Sequence, residues 1–267
     1  MFLCLEKTRA ELKAEAKDLL RGRWGDGILL NLVPTLLQIA LFVFIAFISA
    51  AAIALAVIFF RDTDFMSQTS TYTDGYQGNS GGGYGGGGIF GLFISLITIG
   101  ISFTFLDWLR QPTKKIQPFK DAFQVYTSKN FLTVLVISIL SSIFTFLWSL
   151  LFVIPGIIKA LAYSQSYFIY KDLSSHGGNE GMRYTNYITE SRQLMDGHKG
   201  RYFLLQLSFI GWHILALLTL GIGYLWLNPY MSATYAAFYK DLAQDRYLSG
   251  AKVYEDVEDT TNEWTND

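Results

Sequence analysis

Long apolar runs separated by short charged stretches set the plan of this chain. Residues 28–60 carry no formal charge, and Asn31, Pro34 and Gln38 interrupt an otherwise apolar run. Further runs occupy 89–106, 131–153, 157–170, 202–219 and 224–239. Crossing a bilayer core of about 30 Å takes roughly 20 helical residues, so each run predicts a spanning helix. The fourth is short and carries Lys159 near its start, and the sixth holds Asn228 and Pro229. Ile-Pro-Gly at 154–156 and Leu-Gly-Ile-Gly at 220–223 are helix stop signals. They predict the tips of two tight helical hairpins, which makes six spans in all.

The same order of elements recurs. Tyr-Lys-Asp-Leu closes the run at 170–173 and again at 239–242. Ahead of the third span, Phe119, Ala122, Phe123 and Tyr126 share one helical face; ahead of the fifth, Tyr184, Tyr187, Ile188 and Ser191 do so, followed by Leu194 and Met195. Leu5, Leu12, Ala16 and Leu19 mark a third such face. "LLRGRWGDGILL" then parallels "LMDGHKGRYFLL" in shape, and the first unit closes on "TFLDWLR". The predicted fold is therefore an all-α polytopic membrane bundle of three repeated hairpins, each preceded by an interfacial amphipathic helix. The units cover about 5–110, 118–173 and 184–242 within a single membrane domain, 1–245.

Composition agrees with that plan. Of 267 residues 51% are hydrophobic and 16% charged, against roughly 25% charged in a soluble domain. Mean hydropathy is +0.28. Net charge is −1, which gives no reason to expect nucleic acid, and the single Cys4 excludes a disulfide framework. The first 27 residues have no signal-peptide pattern. Lys and Arg cluster in 1–27, 107–130 and 171–201, whereas 61–88 holds only Arg61. Positive charge marks the cytoplasmic side, so both termini are expected in the cytoplasm of a multi-pass cell-membrane protein. Residues 61–88, with "DGYQGNSGGGYGGGG", read as a flexible outer loop, and 246–267 as an acidic disordered tail.

Candidate chemistry is sparse. The glycine-rich loop has no Lys and lacks the phosphate-loop pattern. His176 and His198 have no neighbour at metal-ligand spacing, no nucleophile elbow occurs, and no acidic pair lies inside a span. No catalytic residue, metal or cofactor is expected. Four polar residues within the spans stand out as weak ligand or interhelix hydrogen-bond candidates: His213, Asn228, Gln165 and Gln38. His213 lies seven residues before Leu220 and Asn228 six after Ile222, so both fall about 9–10 Å from the outer end and within reach of one another. One reading makes them adhesive between helices, worth roughly 0.6 kcal/mol per bond. The other makes them a solute or proton site, helped by the helix breaks at Pro34 and Pro229.

"LLRGRWGDGILLNLV", "VIPGIIKALAYSQSYFIYKD", "SRQLMDGHKGRYFLLQLSFIGWHILALLTLGIGYLWLNPY" and the final "FYKDL" closely resemble a family of integral membrane proteins of Gram-positive bacteria, catalogued only as domain of unknown function 975. The resemblance spans about residues 5–245; the glycine-rich loop and acidic tail depart from it. It implies membrane location and fold, and brings no catalytic residues. The chain is also loosely similar, in fold alone, to the membrane anchor beside some glycerophosphodiester phosphodiesterases. The expected function is that of a non-enzymatic membrane scaffold or envelope-homeostasis factor. A small-solute or lipid transporter is the alternative, and a membrane enzyme comes last. Expected partners are the lipid bilayer and other membrane proteins or further copies of the chain.

Overall fold

The computed structural model of the chain describes residues 6–60, 88–127, 131–178 and 181–248. Every regular element among them is a helix: α1 Arg9–Leu20, α2 Trp24–Phe60, α3 Gly88–Arg110, α4 Pro118–Ala122, α5 Gln124–Thr127, α6 Phe131–Leu151, α7 Val153–Tyr163, α8 Ser166–Ser175, α9 Tyr184–Leu194, α10 Lys199–Leu207, α11 Ile210–Leu218 and α12 Tyr224–Ala243. Nearly all of the expected glycine-rich loop, and the expected tail beyond Leu248, lie outside the described residues.

Three described stretches are long and apolar enough to cross a membrane: Gly91–Arg110, Phe131–Leu151 and Lys199–Leu218. They differ in setting. The first is 72% buried inside the protein, the second 11% and the third 22%. α3 is thus a central helix, and α6 and α10–α11 are peripheral. α12 is central too. Its Ala233, Ala236 and Ala237 are fully buried, and it packs on α1, α2 and α3, since small side chains let helix axes approach. α2 has 37 residues, about 55 Å at 1.5 Å per residue. Its second half runs clear of the bundle, with Phe47, Ile53, Leu55 and Ile58 all exposed.

The hairpin tips show where local chemistry was read correctly and where it was not. At 220–223 the chain turns as expected. Gly221 takes a φ of 89° and its N–H donates to the Ala216 carbonyl at 3.0 Å, a helix-ending bond that favours glycine. Ile-Pro-Gly, by contrast, does not stop a helix. The break is at Phe152, whose backbone is extended, and α7 begins at Val153 with Pro155 in its first turn. A proline there loses nothing, because first-turn N–H groups have no partner within the helix.

Three further expectations are corrected. The fourth apolar run is not one helix: Ser164 and Gln165 separate α7 from α8. Likewise Ser208 and Phe209 separate α10 from α11. The helix over 118–127 is also split, at Phe123, and Phe119 is exposed while Ala122 and Val125 are buried. Docking decides this. A Cβ on Gly100 of α3 would meet the Ala122 carbonyl at 2.6 Å, so that glycine admits the α4 backbone. Gln124 Nε2 then donates to the Gly100 carbonyl and to Thr104 Oγ1, each at 2.7 Å.

α1 and α9 largely match their predicted faces. Thr8 and Glu11 form a capping box on α1; of its predicted face Leu12 and Ala16 are buried, Leu19 is half-buried with Leu20 buried in its stead, and Leu5 lies outside the described residues. On α9, Tyr187, Ile188, Ser191 and Leu194 are buried, followed by Met195, while Tyr184 stays exposed.

Candidate functional site, an ion-pair belt at the helix ends

The repeated Tyr-Lys-Asp-Leu is the key to the polar end of the molecule. Both copies lie at the C-terminal ends of helices, on α8 and α12. There each Asp meets an arginine and each Lys meets an acid earlier in the chain, Asp107 or Glu15.

Asp172, only 3% exposed, accepts from Arg110 Nη2 at 2.5 Å and from the Tyr239 hydroxyl at 2.7 Å. Three helices, α3, α8 and α12, thereby converge on one carboxylate. Burial raises the Asp172 carboxyl above its ordinary value, against the opposing pull of Tyr239 and Arg110. Lys171 and Lys114 both pair with Asp107, at 3.4 and 2.9 Å.

In the second copy Arg201 pairs with Asp241 and also donates to the Lys7 carbonyl at 2.5 Å. The Lys7 N–H returns a bond to Asp241 at 3.3 Å. Lys240 Nζ donates to Glu15 at 3.2 Å and to the Leu109 carbonyl at 3.0 Å, and Lys7 Nζ bonds the other Glu15 oxygen at 2.7 Å. Burial on its own would raise the Glu15 carboxyl, but the bonds from Lys7 and Lys240 outweigh it and hold the group below its ordinary value.

A third acid, Glu190 of α9, is 4% exposed. It takes Arg246 at 3.2 Å and the Tyr247 hydroxyl at 3.0 Å. Tyr247 is itself buried, so packed chain continues past α12.

This arrangement binds helices together. The buried acids Asp172 and Glu190, and the half-buried Asp241 and Glu15, each receive at least two donors. Among the described residues no group of three His, Cys, Asp or Glu converges as a metal site would require.

The four predicted intramembrane residues do not come together. Asn228 Nδ2 donates to Thr35 Oγ1 of α2 at 2.8 Å. His213 packs its ring against Tyr224, with centroids 5.7 Å apart. The expected His213–Asn228 bond is therefore replaced by a bond to a different helix. Gln165 is buried at the α7–α8 break; its N–H donates to Ser191 Oγ at 3.2 Å and its Nε2 to Ser164 Oγ at 2.7 Å, while Oε1 has no partner. Gln38 is exposed on α2.

Sequence reading missed Arg110, Arg201, Glu15 and Glu190 as partners. A signal existed in the duplicated Lys-Asp pair: two identical charges at matching helix ends need two matching counter-ions.

No curated protein and no solved structure was found to be similar to the chain. The family described as "Protein of unknown function (DUF975)" matches residues 1–176 and 150–246. With nearly the whole helical bundle inside those two matches, the chain belongs to that family.

Proposed function

We propose that this protein is a non-enzymatic scaffold of the cell membrane, crossing it six times as three hairpins with both termini cytoplasmic. One observation carries the reading. Ion pairs of the belt tie helix ends to one another, joining the end of α3 to α8 and α12, and α12 to α1 and α10. A scaffold needs fixed helix ends and apolar outer faces, such as Leu150, Ile154, Leu218 and Ile222 offer to lipid or to neighbouring membrane proteins.

Reporter fusions test the topology. Fusions after Ser80 are expected to read outside, and those after Asp121, Gly178 and Ala251 inside. An outside signal at Gly178 would remove the six-span arrangement. Comparing lipids and metabolites of a deletion strain with its parent tests the role, with changes in membrane composition expected and accumulation of one solute counting against it.

Transport is the second reading, and Gln165 is the observation that favours it. Its side-chain oxygen is buried without a partner at a helix break, which is how transporters expose polar groups at depth. An abundant, folded Gln165→Leu or His213→Leu protein that fails to complement the deletion would put transport first.

A further inference from the structure

The turns that lead into α2 and out of α3 enclose a cleft of about 290 Å³. Arg23, Asp26, Trp108, Thr113, Lys114 and Lys115 line it. Gly22, at φ +76°, reverses the chain after α1 and delivers Arg23. Arg23 Nη1 donates to the Pro112 carbonyl at 2.6 Å, tying the two turns together. Its guanidinium lies over the Trp108 ring, 5.1 Å from the centroid. Trp108 is 1% exposed, and its indole N–H has no hydrogen-bond partner. Buried donors are rarely left so.

Charge in the cleft is unbalanced, with three cations against the single carboxylate of Asp26. Lys114 is engaged by Asp107 outside the cleft lining. Among the described residues neither Arg23 nor Lys115 forms an ion pair. Arg23 directly precedes α2, and Lys114 and Lys115 follow α3. The cleft therefore sits where membrane-spanning stretches begin and end.

We propose that this cleft binds a phosphate group, that of an anionic phospholipid headgroup at the membrane surface. Guanidinium and ammonium groups are donors, and they match the acceptor-only oxygens of a phosphodiester. Basic pockets between membrane helices hold phospholipid headgroups by this chemistry. Ile116, which also lines the cleft, adds apolar surface for the part of the lipid below its phosphate.

The test uses the full-length protein in detergent micelles. Thermal stability is followed on titration with phosphatidylglycerol, phosphatidylcholine or inorganic phosphate, since a ligand that binds only the folded state raises its melting temperature. Phosphatidylglycerol is expected to stabilise saturably and phosphatidylcholine not to. Each cation near an anionic surface contributes about a fivefold factor in affinity. Lys115→Gln should thus weaken phosphatidylglycerol binding about fivefold while the ligand-free melting temperature stays parental. Arg23→Gln should weaken it further. Lys120→Gln, an exposed basic residue of α4 outside the cleft, should change nothing. Equal losses in Lys120→Gln and Lys115→Gln would reduce the effect to diffuse surface charge and overturn the site, as would unchanged affinity in Lys115→Gln. Stabilisation by inorganic phosphate alone, lost in Lys115→Gln and with no preference between lipids, would replace the headgroup with a soluble phosphate.

Discussion

Asp172 shows how one buried carboxylate joins three helices. Its raised pKa means that holding it ionised costs stability as pH rises above its ordinary range, and Arg110 and Tyr239 limit that cost. Arg110→Met leaves a buried charge without its cation and is expected to cost about 3–5 kcal/mol. Tyr239→Phe removes one donor and should cost about 1–3 kcal/mol. The double change Arg110→Met, Asp172→Leu should recover most of the loss, because no uncompensated charge remains. Unfolding in mixed micelles measures all three, and a double variant as unstable as the single would show that packing, not charge, is at stake. Glu15 has the opposite sign. Its carboxyl is held below the ordinary value of 4.5, so its contribution is fully present above 4.5 and is lost as pH falls through the lower folded-state value. Melting temperature should drop over that acid window, and Glu15→Gln should flatten the drop. An unchanged slope would exclude Glu15 as its source.

At the scale of elements, two hairpins close through the same device. A Cβ on Gly156 would lie 2.8 Å from the Ser149 Cα, and one on Gly223 would lie 2.7 Å from the Ala216 Cα. In each hairpin a glycine near the start of the returning helix faces a small residue seven positions back. The backbone is so close that no flexible side-chain end can yield. Gly156→Ala and Gly223→Ala should each cost about 1–3 kcal/mol through overpacking, read as lower folded yield or melting temperature. Ser149→Gly should partly rescue Gly156→Ala; failure to do so would place the strain elsewhere. The turns before α2 and α10 are related in the same way. Gly22 and Gly197 occupy matching places in the two similar segments and share a φ of 76°, a conformation natural to glycine.

Across the whole molecule, polarity is sorted by end and apolar surface by side. The ion pairs gather where α3, α8 and α12 finish, beside α1 and α10. Large apolar side chains of α6, α7 and α11 face outward, among them Leu150, Val153 and Leu218. That is the reverse of a water-soluble surface and suits a hydrocarbon surrounding. Lys159 fits this sorting, since its ammonium lies over the Trp148 ring at 4.6 Å and the ring shields a charge carried inside α7.

The sequence by itself determined where helical stretches lie, though not every point at which they break, because apolar runs and glycine turns act over a few neighbouring positions. Most of the α1 and α9 faces and the turn at Gly221 were legible for that reason. The duplicated Tyr-Lys-Asp-Leu was legible as a mark, though not as half of an ion-pair belt. Its partners lie 62 residues away for Arg110 and Asp172, 40 for Arg201 and Asp241, and 225 for Lys240 and Glu15, distances that no local periodicity encodes. Packing alone decided that Asn228 bonds Thr35 rather than His213, since a third helix lies nearer to it than depth along one hairpin suggests. Packing also decided that Pro155 sits in the first turn of α7, because the extended Phe152 had already ended α6. Burial of each carboxylate, and with it the direction in which Asp172 and Glu15 titrate, follows from which helices surround it, and only the tertiary structure brings those helices together.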